Sequence, residues 1–149
     1  KNPPHSTSIN LLTEALRHVL PSGWLIRIEQ PITTLDSEPE PDICVVRGSV
    51  RDYAERHPHP GDVALVVEVA DATLRQDRAI KLRIYARARI PVYWILNLPE
   101  RTLEAYTEPA GEGANAQYRQ RRTYVETDSA PVWIDGQEVG QVAVAELLA

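Results

Sequence analysis

Three polar residues stand where the surrounding sequence is apolar, and together they could do chemistry. Glu68 lies near the end of Val63 to Val69, a stretch in which every other side chain is apolar. An ionised carboxylate in such a place is costly unless a metal ion, a buried cation or a retained proton compensates it. Asp42 follows Pro41 and opens the run Ile43 to Val46, sharing strand parity with Cys44 and Val46. Lys81 belongs to a helical segment. At about 100° per residue, Asp77, Lys81 and Ala88 fall on one line beside Leu74, Ile84 and Tyr85, the apolar side of the helix. Two carboxylates and a main-chain carbonyl are hard oxygen ligands for Mg²⁺, which keeps water in its remaining positions. The cation activates a bound water and stabilises charge on phosphate oxygens, while a nearby ammonium orients the nucleophile or neutralises the transition state. An aspartate, a glutamate and a lysine therefore suffice to hydrolyse a phosphodiester.

Each of these residues also has a plainer reading. Glu68 could lie just past the buried part of its strand, since carboxylates are seldom fully buried. Pro-Asp is a common turn entry, which would make Asp42 a simple strand start. Asp77 and Lys81 would need no function if exposed, because an i,i+4 pair on a helix surface is worth only about 0.3–0.5 kcal/mol. A pair on the inner face must instead find partners, and that favours a role for Lys81. His5, near the chain start, is a candidate for a further polar site residue, but a lone histidine by a frayed terminus is more often incidental. His18, His57 and His59 lack metal-ligand spacing, and His57-Pro58-His59-Pro60 reads as a rigid loop.

The elements that must hold these residues follow from periodicity. Ile9, Leu12, Leu16, Val19 and Leu20 recur with helical spacing and predict a helix from Ser6 to Leu20, with Ser6 to Ser8 as capping hydroxyls. Trp24 to Glu29 alternates like a half-buried strand. Ile43 to Val46, Val63 to Val67 and Val92 to Leu96 are apolar at both parities, as suits central strands covered on both faces. Asp71 to Arg89 forms the second helix, with Thr73-Leu74-Arg75-Gln76 as its capping box. The strand-helix-strand order from Val63 to Asn97 predicts a crossover between parallel strands. Leu103 and Ala105 alternate with polar neighbours. Further on, a strand pair is expected around Tyr118 to Tyr124 and Val132 to Ile134, then a short helix ending at Leu148. The whole, 1–149, reads as a single α/β domain.

Composition narrows the function classes. The 149 residues are 43% hydrophobic and 25% charged, a globular balance. The longest apolar runs fall well short of a membrane span, and the lone Cys44 fits a reducing compartment, so the expectation is a cytoplasmic protein. A net charge of −5 argues against a constitutive DNA-coating protein. It leaves room for an enzyme with a local basic lip around an acidic metal site, since Arg119, Arg121 and Arg122 cluster in one short segment.

The ordered set Pro41-Asp42, Glu68, Asp77-Arg78-x-x-Lys81-x-x-x-Tyr85-Ala86 and Pro91-Val92-Tyr93-Trp94-Ile95 resembles the Uma-type putative restriction endonuclease family, of the PD-(D/E)XK nuclease-like superfamily. The resemblance runs from the first helix to Tyr106 and weakly onward through Asp135 to Gly140. It implies a restriction-endonuclease-like mixed central β-sheet flanked by helices, with an additional C-terminal strand pair. It also implies an endonuclease acting on DNA with Mg²⁺, for which Mn²⁺ could substitute, held by Asp42, Glu68 and the Val69 carbonyl. The superfamily's usual lysine position, two residues after the glutamate, is Ala70; the Uma-type pattern takes its lysine from the following helix, which matches Lys81. The segment Ala70-Asp71-Ala72-Thr73 lacks the serines frequent there, so an inactive nuclease-like binding or regulatory module is the alternative. An acid–base carboxylate pair of the glycosidase kind is a further rival, one that would leave Lys81 without a role. A homodimer, with the tail supplying the interface, is the partner expectation besides DNA.

Overall fold

The computed structural model describes the main chain of residues 2–71 and 75–149, and the side chains of all of these except 75–77. The chain opens with helix α1 (Pro3–Val19), followed by strands β1 (Trp24–Ile28), β2 (Ile43–Arg47) and β3 (Val63–Ala70). Helix α2 (Arg75–Arg87) precedes β4 (Val92–Asn97), β5 (Thr102–Ala110), β6 (Gln117–Tyr124), β7 (Ser129–Ile134) and β8 (Gln137–Ala143). The first six strands form one sheet in sequence order, antiparallel throughout except for the parallel β3–β4 pair. That exception is where α2 makes the crossover, as the strand-helix-strand order required. Among the described residues no helix is long and apolar enough to cross a membrane.

Both faces of the sheet are covered, which explains why β2, β3 and β4 are apolar at both parities. On one face Ile43, Val45, Leu65, Val67, Trp94 and Leu96 pack against Ile9, Leu12 and Leu16 of α1 and against the β7–β8 hairpin. On the other, Cys44, Val66, Tyr93, Ile95 and Tyr106 pack against Tyr85 and its neighbours on α2. The α2 face is rich in tyrosine: the Tyr93 ring lies 4.8–6.3 Å from those of Tyr85, Tyr106 and Tyr118.

Three expectations change. Helix α1 starts three residues early, because Asn2 caps it by accepting from the His5 N–H at 3.0 Å. Pro3 and Pro4 fill the first positions, where an N–H is not needed; Ser6 to Ser8 therefore lie inside the helix. In the tail, Tyr118 to Tyr124 does not pair with Val132 to Ile134. It joins β5 as the sheet's sixth strand, while β7 pairs with β8 through a two-residue turn in which Asp135 and Gly136 both have positive φ. That turn matches the twist of a hairpin. The short helix expected at the tail is a 3₁₀ turn, Val144–Leu147. The capping box expected at Thr73 to Gln76 lies outside the residues described in full.

Candidate active site

The antiparallel register of β2 and β3 pairs Ile43 with Val67 and Cys44 with Val66. Carried one residue further, it sets Asp42 opposite Glu68, both on the α2 face. The ladder gives way to side chains at this point. The Asp42 N–H donates to Glu68 Oε1 at 3.1 Å, and the Val69 N–H donates to Asp42 Oδ2 at 2.7 Å. Each carboxylate thus satisfies a main-chain donor on the other strand. In an extended strand a residue's N–H and C=O face the same edge, so the Val69 carbonyl also points toward β2. The Ala70 carbonyl faces the other way and accepts from the Leu98 N–H.

Asp42 and Glu68 are each only 7% exposed. Lys81 reaches them from α2, its Nζ 2.5 Å from Glu68 Oε2, while its side chain stays 41% exposed. Burial raises the Glu68 pKa above the usual carboxylate range; the hydrogen bond and charge of Lys81 oppose this, and the nearby Asp42 charge adds to it. Burial leads again at Tyr85, one turn beyond Lys81, where the Glu68 charge also helps to hold the phenol protonated. Cys44, two residues along from Asp42, has its thiol pushed up to about 12 by burial, partly offset by Arg27, so it supplies neither a thiolate nucleophile nor a thiolate ligand at neutral pH.

The three residues singled out from sequence, Asp42, Glu68 and Lys81, therefore meet at one place, with Val69 beside them. Asp77 falls within α2, but its side chain is outside the described residues. His5, read from sequence as incidental, is brought in as well: its Nε2 lies 3.3 Å from Asp42 Oδ2, and it is buried. The signal was its spacing, since His5 continues the stripe Ile9, Leu12 and Leu16 by one turn once the helix is known to start at Pro3. His5 Nδ1 and, one turn on, Ser8 Oγ are buried without a hydrogen-bond partner among the described residues.

A second polar cluster went unrecognised in the sequence. Glu104 on β5, 1% exposed, accepts from the Tyr106 hydroxyl at 2.8 Å, from Asn97 Nδ2 at 3.4 Å and from Arg78 of α2. Arg121 Nη2 of β6 lies 3.6 Å from it. The alternation of β5 suggests a solvated polar face, and only the placement of α2 over that face buries Glu104.

A hard divalent cation fits the donors that are present. Two buried carboxylates face each other across adjacent strands, a main-chain carbonyl is directed to the same side, and orphaned polar atoms lie on the adjoining helix. Among the described residues no group of three or more His, Cys, Asp or Glu side chains is arranged to hold a metal. The fit is therefore to a cation that keeps much of its water, as Mg²⁺ does.

A family model, Uma2, described as "Putative restriction endonuclease", matches residues 1–137. Among solved structures, the chain is similar to a putative nuclease belonging to DUF820 from Anabaena variabilis ATCC 29413. The TM-score is 0.70 at 14% identity, covering 99% of this chain and 81% of the other. At that identity the likeness speaks for the fold. No curated protein matches.

Proposed function

The chain belongs to the Uma2 family of putative restriction endonucleases, and on that premise we propose that it hydrolyses phosphodiester bonds in DNA with Mg²⁺, using Asp42, Glu68 and Lys81. The observation that carries this reading is the meeting of two buried carboxylates from neighbouring strands with an ammonium 2.5 Å from one of them. Asp42 and Glu68, with the Val69 carbonyl, would hold the cation, and Mn²⁺ would substitute for it. When bound, it supplies charge neutralisation at the phosphate and an activated water.

The chain's own residues do the rest. Asp42 and Glu68 are locked in orientation by the main-chain donors they accept, so little reorganisation is needed when charge develops beside them. Lys81 balances Glu68 from a partly exposed side chain, which lets its ammonium turn from the carboxylate to a phosphate oxygen presented at the cleft. The site lies at the carboxyl end of β3, beside its parallel neighbour β4, the usual place for a ligand in such sheets. His5, on Asp42 Oδ2, orients that carboxylate.

An inactive nuclease-like module is the second reading, favoured by the absence of a third acidic or histidine ligand among the described residues and by the net charge of −5. One experiment separates the two. Thermal melts with and without Mn²⁺, run alongside plasmid nicking, compare the wild type with Asp42→Asn and Lys81→Ala. A cation at a hundred times its Kd stabilises by about 2.7 kcal/mol, or roughly 5–11 °C for a chain of this size. The nuclease reading expects that rise and nicking in the wild type, neither in Asp42→Asn, and the rise without nicking in Lys81→Ala. A wild type insensitive to Mn²⁺ and unable to nick would establish the inactive module.

A further inference from the structure

The Glu104 cluster has a charge imbalance. Tyr106 and Asn97 donate to Glu104 as neutral groups, and one guanidinium, that of Arg78, already compensates its single charge. Arg121 adds a second guanidinium at 3.6 Å, and its side chain is 57% exposed. Among the described residues, two cations on one carboxylate leave a net positive charge, and the exposed member carries it to solvent. Arg121 is also partly ordered, its guanidinium 5.7 Å from the centre of the Tyr106 ring. A planar fork held in advance loses little freedom when it binds an anion.

The position of this charge is set by the sheet. Glu68 pairs with Ile95, and Ile95 with Glu104, so the two carboxylates lie in one row across the α2 face, two strands apart. At the usual strand spacing that is about 10 Å. Helix α2 spans the row, delivering Lys81 to Glu68 and Arg78, three residues earlier, to Glu104. Strand β6 closes the sheet at this edge and is almost wholly exposed.

We propose that Arg121 and Arg78, held on Glu104, are a docking site for a phosphate of the nucleic-acid substrate other than the one that is cut. The proposal rests on the nuclease reading and extends it by placing a second phosphate contact of the substrate at the β6 edge of the sheet. Glu104 touches no substrate and is a positioning residue.

The test is binding of a fluorescein-labelled 12-base-pair DNA duplex by anisotropy, in EDTA, over a series of KCl concentrations. Arg121→Ala is the main variant because its exposed side chain is dispensable for folding. Arg122→Ala is the control, on the same strand but paired with Ala105, on the opposite face. Losing one phosphate contact should reduce the slope of log K against log salt by about 0.9, equally for duplexes of different sequence. Arg78→Gln should do the same, while Arg122→Ala keeps the wild-type slope. An Arg121→Ala slope equal to wild type overturns the docking site and leaves the nuclease reading standing. Because binding is read without metal, a failure of the wild type to nick DNA with Mn²⁺ bears on Asp42, Glu68 and Lys81 instead. A wild type that does not bind the duplex even at low salt overturns the docking site outright.

Discussion

Replacing Glu104 tests how far the α2 layer depends on one buried carboxylate. In Glu104→Gln the shape is kept but one oxygen becomes an NH₂ donor. At the Oε1 position the new donor would face Arg78 and the Tyr106 hydroxyl, both of which donate there. At the Oε2 position it would face Asn97 Nδ2, also a donor, and Asn97 cannot simply flip because its Oδ1 accepts from the Glu100 N–H at 3.1 Å. One buried donor is thus left unmet in either orientation, at about 1–3 kcal/mol, and about 1 kcal/mol more is lost as charge-assisted hydrogen bonds become neutral ones. The expected loss is about 2–4 kcal/mol, close to the roughly 3–5 kcal/mol for removing one partner of a buried ion pair, which is the expectation for Glu104→Ala. Urea denaturation of the metal-free protein measures it, with an unchanged m-value showing that both variants unfold the same structure. A Glu104→Gln variant within about 0.5 kcal/mol of wild type, the ordinary range for surface substitutions, would refute the claim that this carboxylate pins α2 to the sheet.

Two further predictions concern the carboxylate pair. Because burial raises the Glu68 pKa in the folded state, the folded protein holds that proton more tightly than the unfolded chain. Glu68 therefore contributes stability below the ordinary glutamate range that is lost as pH rises through its folded value. The stability of metal-free wild type relative to Glu68→Gln should fall as pH rises above the ordinary glutamate range, as read by melts at each pH; a relative stability that climbs instead would contradict the burial argument. His5→Ala removes the neighbour of Asp42 Oδ2 and should weaken Mn²⁺ binding by about ten- to a hundredfold, as loss of an orienting partner usually does. Calorimetric titration giving a wild-type Mn²⁺ affinity in that variant would reduce His5 to a packing residue.

Much of this arrangement was legible in the residues because the central strands carry a strong signal. Runs apolar at both parities mark β2, β3 and β4 as covered on both sides, and a lone Glu68 within one of them demands a partner. The helical angle of Lys81 supplied that partner, and the structure places its Nζ on Glu68. His5 was discounted because the cap was read at the serines rather than at Asn2, which cut the first turn from the helix. Glu104 was missed for a different reason. Alternation reports what one strand alternates, whereas burial of its polar side depends on a helix that arrives from elsewhere in the chain. Of the tail strands β6 and β7 were found and β8 was not, and β6 was paired with the wrong neighbour, since its sequence is polar on most positions and carries little information about register.

The reciprocal bonds at the end of the β2–β3 ladder have an evolutionary consequence. Asp42 caps the Val69 N–H and Glu68 caps the Asp42 N–H, so both acids are masonry of the sheet as well as chemical equipment. A descendant released from selection for cleavage would still be held to both by the need to satisfy those donors. Lys81 reaches Glu68 from a helix, through a long side chain that is partly open to water. Decay of activity in a lineage should therefore be written first at the lysine, with the two acids persisting as relics. On the proposed reading, the acids alone would not mark an active enzyme in such a lineage; the residue at position 81 would.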